Sequence, residues 1–77
     1  MKLTIKYFGM LAELTGCDQE TITFSEDTVS DLLQTLFHKY PILEKKSFKV
    51  AQNHALVSED TKISNPEIFL LPPFSGG

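Results

Sequence analysis

The first part of the chain alternates between apolar and polar residues in two segments. In KLTIKYF, leucine, isoleucine and tyrosine occupy every second position, and lysine or threonine lies between them. A period of this kind is typical of a strand with one buried face. QETITFS alternates in the same way, with Ile22 and Phe24 on one face, and predicts a second strand. The apolar stretch between the two segments, GMLAELTG, predicts a short helix.

The clearest element is an amphipathic helix that begins after Thr28. Its apolar residues recur at three- and four-residue spacing, which places them on one wide stripe. The stripe consists of Val29, Leu32, Leu33, Leu36, Phe37 and Tyr40. Thr28 is suited to cap the first turn, and Asp31 lies where a carboxylate meets free backbone N–H groups. Pro41 predicts the end of the helix.

Two short strands are predicted after the helix. PILEKKS is rich in charged residues and predicts a loop. FKVAQ and HALV predict strands on either side of a turn at Asn53. The polar segment SEDTKISNP then predicts a series of turns.

A continuous apolar run, EIFLL, lies between Pro66 and Pro72. Such a run fits a strand that is buried on both faces, which places it at the centre of a sheet. The order of elements predicts an α+β fold, a mixed sheet of about four to five strands packed on one main helix. We expect this domain to span residues 1–71 and a flexible, extended C-terminal tail to span residues 72–77.

Composition narrows the functional class. The chain has 77 residues, enough for one domain, and a net charge of -3. Its basic residues are scattered lysines without arginine, which disfavours nucleic acid as a partner. We expect no membrane span, because no apolar run approaches about 20 residues. The start of the chain lacks the pattern of a signal peptide, so we expect a cytoplasmic protein.

The residues that could carry chemistry within the domain are few. His38 lies off the helical stripe, His54 lies in a predicted turn, and neither has partners at metal-ligand spacing. Cys17, the single cysteine, follows a glycine in a loop and is expected to be structural or incidental. There is no nucleophile paired with a base and no glycine-rich phosphate loop. We therefore expect no metal site, no bound cofactor and no enzymatic activity of the chain alone.

The C-terminal segment PPFSGG is the most distinctive part of the sequence. Pro72 and Pro73 lack N–H groups, so they end sheet pairing and project the following residues away from the domain. Phe74 supplies one apolar anchor, and Ser75 follows it. The last two residues, Gly76 and Gly77, lack Cβ atoms and can thread a narrow channel. These features suit delivery of the terminal carboxylate into the active site of another protein.

Four segments together resemble the ubiquitin-like β-grasp sulfur carriers, and among them the small subunits of molybdopterin synthase. They are YFGMLAELTG, TVSDLLQTLFHKYP, AQNHALV and EIFLLPPFSGG, and the resemblance covers essentially the whole chain. A terminal Gly-Gly occurs in many carriers, whereas Pro-Pro-x-Ser-Gly-Gly directly after the last strand is most typical of the molybdopterin group.

This resemblance implies a chemistry at Gly77. A ubiquitin-activating-like adenylyltransferase uses ATP to adenylate the Gly77 carboxylate, and a sulfur-donating protein supplies the sulfur that converts it to a thiocarboxylate. The tail then enters the large catalytic subunit of molybdopterin synthase, where sulfur passes to cyclic pyranopterin monophosphate. The resemblance also implies a heterotetramer, in which the tail from Pro72 to Gly76 binds the partner.

The sequence departs from the family pattern at three places. Asn65-Pro66-Glu67 replaces the usual glycine turn, and we expect a modified turn rather than a lost one, because asparagine tolerates the left-handed conformation that glycine would supply. Gln52 replaces a common aliphatic residue, which predicts a more exposed strand end. Phe74 is bulkier than the usual tail residue, which is expected to affect the fit to the large subunit.

Two other functions remain open at this level. A carrier for thiamin thiazole synthesis shares the fold and the tail chemistry. A ubiquitin-like modifier would instead join Gly77 to lysine side chains through isopeptide bonds. The double proline favours the molybdopterin group.

Overall fold

The computed structural model describes residues 1–73. Within this range the chain forms five β-strands, two α-helices and one 3-10 helix. In chain order they are β1 (Lys2–Tyr7), α1 (Met10–Thr15), β2 (Gln19–Thr23), α2 (Val29–Lys39), the 3-10 helix (Pro41–Lys45), β3 (Lys49–Gln52), β4 (Ala55–Val57) and β5 (Glu67–Leu71). The helices and strands that the hydrophobic pattern predicted are all present.

The strands form one mixed sheet in the order β2-β1-β5-β3-β4. β1 and β5 are parallel, with Ile5 opposite Ile68, and the remaining neighbours are antiparallel. The apolar strand β5 therefore lies at the centre of the sheet, as predicted. β3 and β4 form a hairpin whose turn residues, Asn53 and His54, have φ of 54° and 63°. Two positive φ values are typical of the tight turns that match strand twist.

The core lies between one face of the sheet and α2. Its buried members are Leu3, Ile5, Tyr7, Leu11, Phe24, Val29, Leu32, Leu33, Leu36, Leu43, Val50, Ile68 and Leu70. Phe37 and Tyr40 continue the helical stripe and are partly buried against this cluster. The predicted α+β layer pair is confirmed.

The N-terminus of α2 has the predicted cap. The Thr28 hydroxyl accepts a hydrogen bond from the Asp31 N–H at 3.3 Å, and the Asp31 carboxylate accepts one from the Thr28 N–H at 3.1 Å. Hydrogen bonds to the Asp31 carboxylate, first from the Thr28 backbone and then from its hydroxyl, lower the pKa of Asp31. The polar loop before β5 satisfies two more N–H groups: Val29 donates to the Thr61 carbonyl and Ser30 to the Glu59 carbonyl, both at 2.9 Å.

Two local predictions are wrong, one about burial and one about secondary structure. β5 is fully buried only on the α2 side, at Ile68 and Leu70, whereas Phe69 and Leu71 on the other face are half-buried. The segment after α2, predicted as a loop, forms a 3-10 helix that buries Leu43 completely. Because the segment is rich in charged residues, the hydrophobic pattern does not reveal that its one leucine packs into the core.

Gln52 was predicted to lie at an exposed strand end, and this is wrong. Its side chain is buried, with 6% exposure. The amide nitrogen donates to the Lys62 carbonyl at 2.8 Å, and the amide oxygen accepts from the Ser64 N–H at 3.1 Å. Burial is tolerated because both polar ends of the amide are paired.

The chain turns at Asn65 without the left-handed conformation that glycine would supply there. Asn53 and His54 are the non-glycine residues of the described range with positive φ. Asn65 instead turns the chain with its side chain, whose oxygen accepts the Glu67 N–H at 2.8 Å. Its amide group also donates to the Asn53 side chain. The side chain therefore supplies the turn that glycine supplies elsewhere.

Candidate functional site

The structure places the beginning of the predicted tail directly after the central strand. Pro72 follows the last residue of β5 and is half-buried, whereas Pro73 is exposed. The predicted site residues that lie outside the described range are Phe74, Ser75, Gly76 and Gly77. Their roles stay predictions, and the candidate site within residues 1–73 is the surface that surrounds the end of β5.

The chain leaves the sheet between the end of β1 and the start of β3. Leu71 lies opposite Lys49 on one side, and Leu70 lies opposite Tyr7 on the other. The Phe8 N–H donates to the Leu70 carbonyl at 3.2 Å, so pairing of β1 with β5 continues one residue beyond β1. The exit point is therefore anchored on both sides by backbone pairing.

An apolar surface lies beside this exit, on the side of the sheet opposite α2. We call it the outer sheet face and define it by Phe8, Ala51, Leu56, Phe69 and Leu71. Phe8 is 41% exposed and Leu56 is 59% exposed. Ala51 is buried between its cross-strand partners Phe69 and Leu56. The exposed apolar side chains make this face a candidate site of protein interaction.

Aromatic and charged groups give the outer sheet face a defined geometry. The rings of Phe8 and Phe69 meet edge to face with centroids 5.7 Å apart. The Lys6 ammonium lies 5.7 Å from the Phe69 centroid and 3.4 Å from the Glu67 carboxylate. This exposed ion pair contributes little to stability, so its charges remain available to a partner at the rim of the apolar surface.

A network of polar side chains on the α2 side of the sheet fixes the end of β1. The Glu20 carboxylate accepts hydrogen bonds from the Tyr7 hydroxyl at 2.6 Å and the Tyr40 hydroxyl at 2.8 Å. It also pairs with the Lys39 ammonium. The network joins β1, β2 and the end of α2, immediately before Phe8 and the tail exit.

The network shifts the titration of its members. Partial burial by itself would raise the pKa of Glu20, but the hydrogen bonds from Lys39, Tyr7 and Tyr40 outweigh it and lower the pKa. Burial, followed by the hydrogen bond to Glu20, raises the pKa of Tyr7 and of Tyr40 well above the usual range. The charged carboxylate and the neutral tyrosines therefore stabilise one another.

Sequence reasoning missed this network, although one signal was available. Glu20 has the same strand parity as Ile22 and Phe24, so the alternation places it on the buried side. A carboxylate on that side requires hydrogen-bond donors. The hydrophobic pattern uses Tyr7 and Tyr40 only as apolar residues and does not reveal that their hydroxyls supply these donors.

The cysteine and the two histidines of the chain are not placed with partners that would support catalysis or metal binding. Cys17 is half-buried next to Thr15, and His38 and His54 are exposed. Residues 1–73 contain no group of three histidine, cysteine or acidic side chains placed to hold a metal ion. None of the helices described is both long enough and apolar enough to cross a membrane.

A mixed five-stranded sheet that grasps one helix, with a C-terminal segment emerging beside an apolar outer face, defines a ubiquitin-like β-grasp domain. The similar solved structures support this class. The chain belongs to the ThiS family, whose profile matches residues 5–77.

Similar proteins were found by sequence and by structure. The molybdopterin synthase sulfur carrier subunit of Caenorhabditis elegans is 27% identical over 88 aligned positions, which cover 100% of this chain and 99% of that protein. SAMP1 from Haloferax volcanii superposes with a TM-score of 0.82, 27% identity and full coverage of both chains. A putative molybdopterin converting factor subunit 1 from Pyrococcus furiosus has a TM-score of 0.86 over 96% of this chain and 99% of its own. At 23% identity, this last likeness concerns the fold alone.

Proposed function

We propose that this chain is the sulfur carrier subunit of a molybdopterin synthase and that Gly77 carries the sulfur as a thiocarboxylate. The observation that supports this most directly is the extent of the family match, which runs through residue 77 and so includes the terminal Gly-Gly. The similarity to a curated sulfur carrier subunit likewise covers the whole chain. The chain itself supplies no catalytic groups in this proposal, and it acts by presenting its C-terminus.

The chemistry begins with activation of the carboxylate. An oxygen of Gly77 attacks the α-phosphorus of ATP on a partner adenylyltransferase, and pyrophosphate leaves. The product is a mixed anhydride with AMP, whose carbonyl carbon is far more electrophilic than that of a carboxylate. A persulfide of a donor protein attacks this carbon and AMP leaves, so that an acyl disulfide joins Gly77 to the donor. A thiol then attacks the donor sulfur of this acyl disulfide; the thiocarboxylate leaves on Gly77, and the donor and the thiol remain joined as a disulfide.

The second stage takes place on the large subunit. The thiocarboxylate sulfur attacks an oxygen-bearing carbon of cyclic pyranopterin monophosphate and displaces that oxygen, which leaves with a proton, so that a thioester joins the substrate to Gly77. Water then attacks the thioester carbonyl, and the sulfur stays on the substrate. The carboxylate is restored and can be activated again. Acid–base groups for these steps belong to the large subunit, so the carrier needs no paired nucleophile and base.

The outer sheet face is the surface that docks the large subunit in this proposal. It is apolar, it lies beside the tail exit, and Lys6 and Lys49 lie at its rim. A partner that contacts this face receives the chain beyond Pro73 directly next to the contact. The thin core of a small domain also favours burial of this face against a partner.

The test is an intact-mass measurement. The purified chain is incubated with ATP, the adenylyltransferase and a sulfur source, and the mass is followed with time. We expect replacement of one oxygen by sulfur, located at the C-terminus by fragmentation. Deletion of Gly77, or addition of one residue after it, should abolish the exchange.

Cys17→Ser is the matched control, because Cys17 is the single thiol of the chain. This variant should exchange oxygen for sulfur at the same rate as the protein that retains Cys17. Sulfur found on Cys17, with none at Gly77, would overturn the mechanism.

Co-purification distinguishes the pathways. We expect the molybdopterin synthase large subunit to be retained and a thiazole synthase to be absent. The similarity to SAMP1, described as a small archaeal modifier protein, favours protein modification as the second candidate. That function predicts higher-mass conjugates in cells that disappear when Gly77 is deleted.

A further inference from the structure

Gly9 occupies a conformation that is open only to glycine. It lies between β1 and α1, with φ of 60° and ψ of -136°. Its carbonyl accepts the Ala12 N–H at 3.1 Å and so begins the first turn of α1. Side-chain-bearing residues avoid this region because the Cβ atom clashes with the backbone.

The space that a side chain would occupy at Gly9 is filled by Pro72. A Cβ atom built on Gly9 would lie 2.9 Å from Cγ of Pro72, 3.9 Å from its Cδ and 4.0 Å from its Cβ. These are the three nearest atoms within 4 Å, and all belong to one proline ring. The ring is packed directly over the bare Cα of Gly9.

Backbone pairing holds the two residues opposite each other. Phe8, which precedes Gly9, donates its N–H to Leu70, two residues before Pro72. The ring of Pro72 fixes its φ near about -65°. The contact of that ring with Gly9 therefore constrains the direction in which the chain leaves the sheet.

We propose that Gly9 is a positioning residue for the C-terminal tail, because its bare Cα forms the seat of the Pro72 ring that directs the chain toward partner active sites. This inference rests on the proposed function of Gly77 as the reacting terminus. It assigns a role to a residue far from Gly77 in sequence.

The size of the expected effect follows from the contact distance. Carbon atoms in ordinary contact lie about 3.5–4.0 Å apart, so a methyl group at Gly9 must displace the ring by roughly 0.5–1 Å. A shift of this size moves the point from which the chain continues beyond Pro73. Misplacement by about 1 Å can reduce a reaction rate about a hundredfold.

Gly16 offers a matched control for Gly9→Ala. It also has positive φ, 82°, and it ends α1 in the left-handed conformation. A Cβ atom there meets nothing within 4 Å. Gly16→Ala therefore strains the backbone without touching Pro72.

The experiment measures sulfur exchange at Gly77 as kcat/KM with the adenylyltransferase, at a temperature where every variant is folded by circular dichroism. We expect Gly9→Ala to lower kcat/KM at least about tenfold and Gly16→Ala to leave it within about twofold. Pro72→Ala removes the Cγ atom that a side chain at Gly9 would meet. Adding Gly9→Ala to the Pro72→Ala protein should therefore lower kcat/KM much less than adding Gly9→Ala to the original sequence. An equal effect of the two glycine variants, or no recovery in the double variant, would overturn the inference.

A second readout separates this inference from the proposed function. NMR amide signals of the residues after Pro73 should shift in Gly9→Ala and not in Gly16→Ala, with or without partner enzymes. If the unmodified protein exchanges no sulfur while these signals shift as expected, the function of Gly77 fails and the seat stands. If the signals are unchanged, the seat fails whatever the exchange assay shows.

Discussion

Gln52 ties the loop before β5 to the sheet through both ends of its amide. Replacing it by leucine keeps the size of the side chain but leaves the Lys62 carbonyl and the Ser64 N–H without their partner. We expect Gln52→Leu to lower the free energy of unfolding by about 1–3 kcal/mol, measured by urea denaturation. Gln34→Leu, at an exposed position of α2, is the control and should change stability by less than about 0.5 kcal/mol. A Gln52→Leu protein as stable as the control would show that these hydrogen bonds contribute nothing.

Phe8 tests the outer sheet face at the level of one side chain. Phe8→Ala should weaken binding of the proposed partner, the molybdopterin synthase large subunit, at least about tenfold, because an aromatic anchor leaves the contact. Ile42→Ala is the matched control, since Ile42 is also 41% exposed but lies in the 3-10 helix. Isothermal titration calorimetry compares the two variants. Equal affinities would place the docking surface elsewhere.

The start of α2 depends on elements that are distant in sequence. Its cap is local, between Thr28 and Asp31, whereas two further N–H groups are satisfied by carbonyls of the loop at residues 59–61. Thr28→Ala removes the cap and should lower the free energy of unfolding by about 1 kcal/mol. Thr35→Ala, the same change at an exposed position of α2, should be neutral or slightly stabilising because alanine favours helix. Chemical denaturation of both variants measures the difference, and equal stabilities would contradict a role of the cap.

For the molecule as a whole, the response to acid follows from two carboxylates. The pKa values of Glu20 and Asp31 are lowered in the folded state. Groups of this kind stabilise the fold above their unfolded pKa values, about 4.3 and 3.9, and the contribution is lost as pH falls through the folded values. We expect the thermal midpoint to be steady near neutral pH and to fall below about pH 4.

Glu20→Gln measures how much Glu20 contributes to the loss of stability in acid. The variant cannot ionise at this position, so its thermal midpoint should vary less between about pH 5 and pH 3 than that of the unmodified protein. Parallel acid profiles would show that Glu20 does not contribute. In base, the raised pKa values of Tyr7 and Tyr40 stabilise the fold below about pH 10, and this contribution is lost as pH rises further.

The local sequence pattern predicts the helices and strands, but it does not predict the burial and partners of several of their side chains. The spacing of Val29, Leu32 and Leu36 predicted α2, because helical period is a property of neighbouring residues. Gln52 was predicted wrongly because its partners, Lys62 and Ser64, lie 10 and 12 residues away in sequence. A polar residue is buried only when such partners are in place, and alternation alone does not reveal them.

The sequence by itself determined the α+β class, the central position of β5 and the proposal that the terminal glycine is the reactive residue. Each depends on residue type and spacing: two-residue alternation, a helical stripe, and a Gly-Gly end after two prolines. Only the tertiary structure decided that one face of β5 is open, that Glu20 joins Tyr7 to Tyr40, and that the ring of Pro72 lies over Gly9. These features arise where strands distant in sequence become neighbours, because parallel pairing of β1 with β5 brings residue 9 to residue 72.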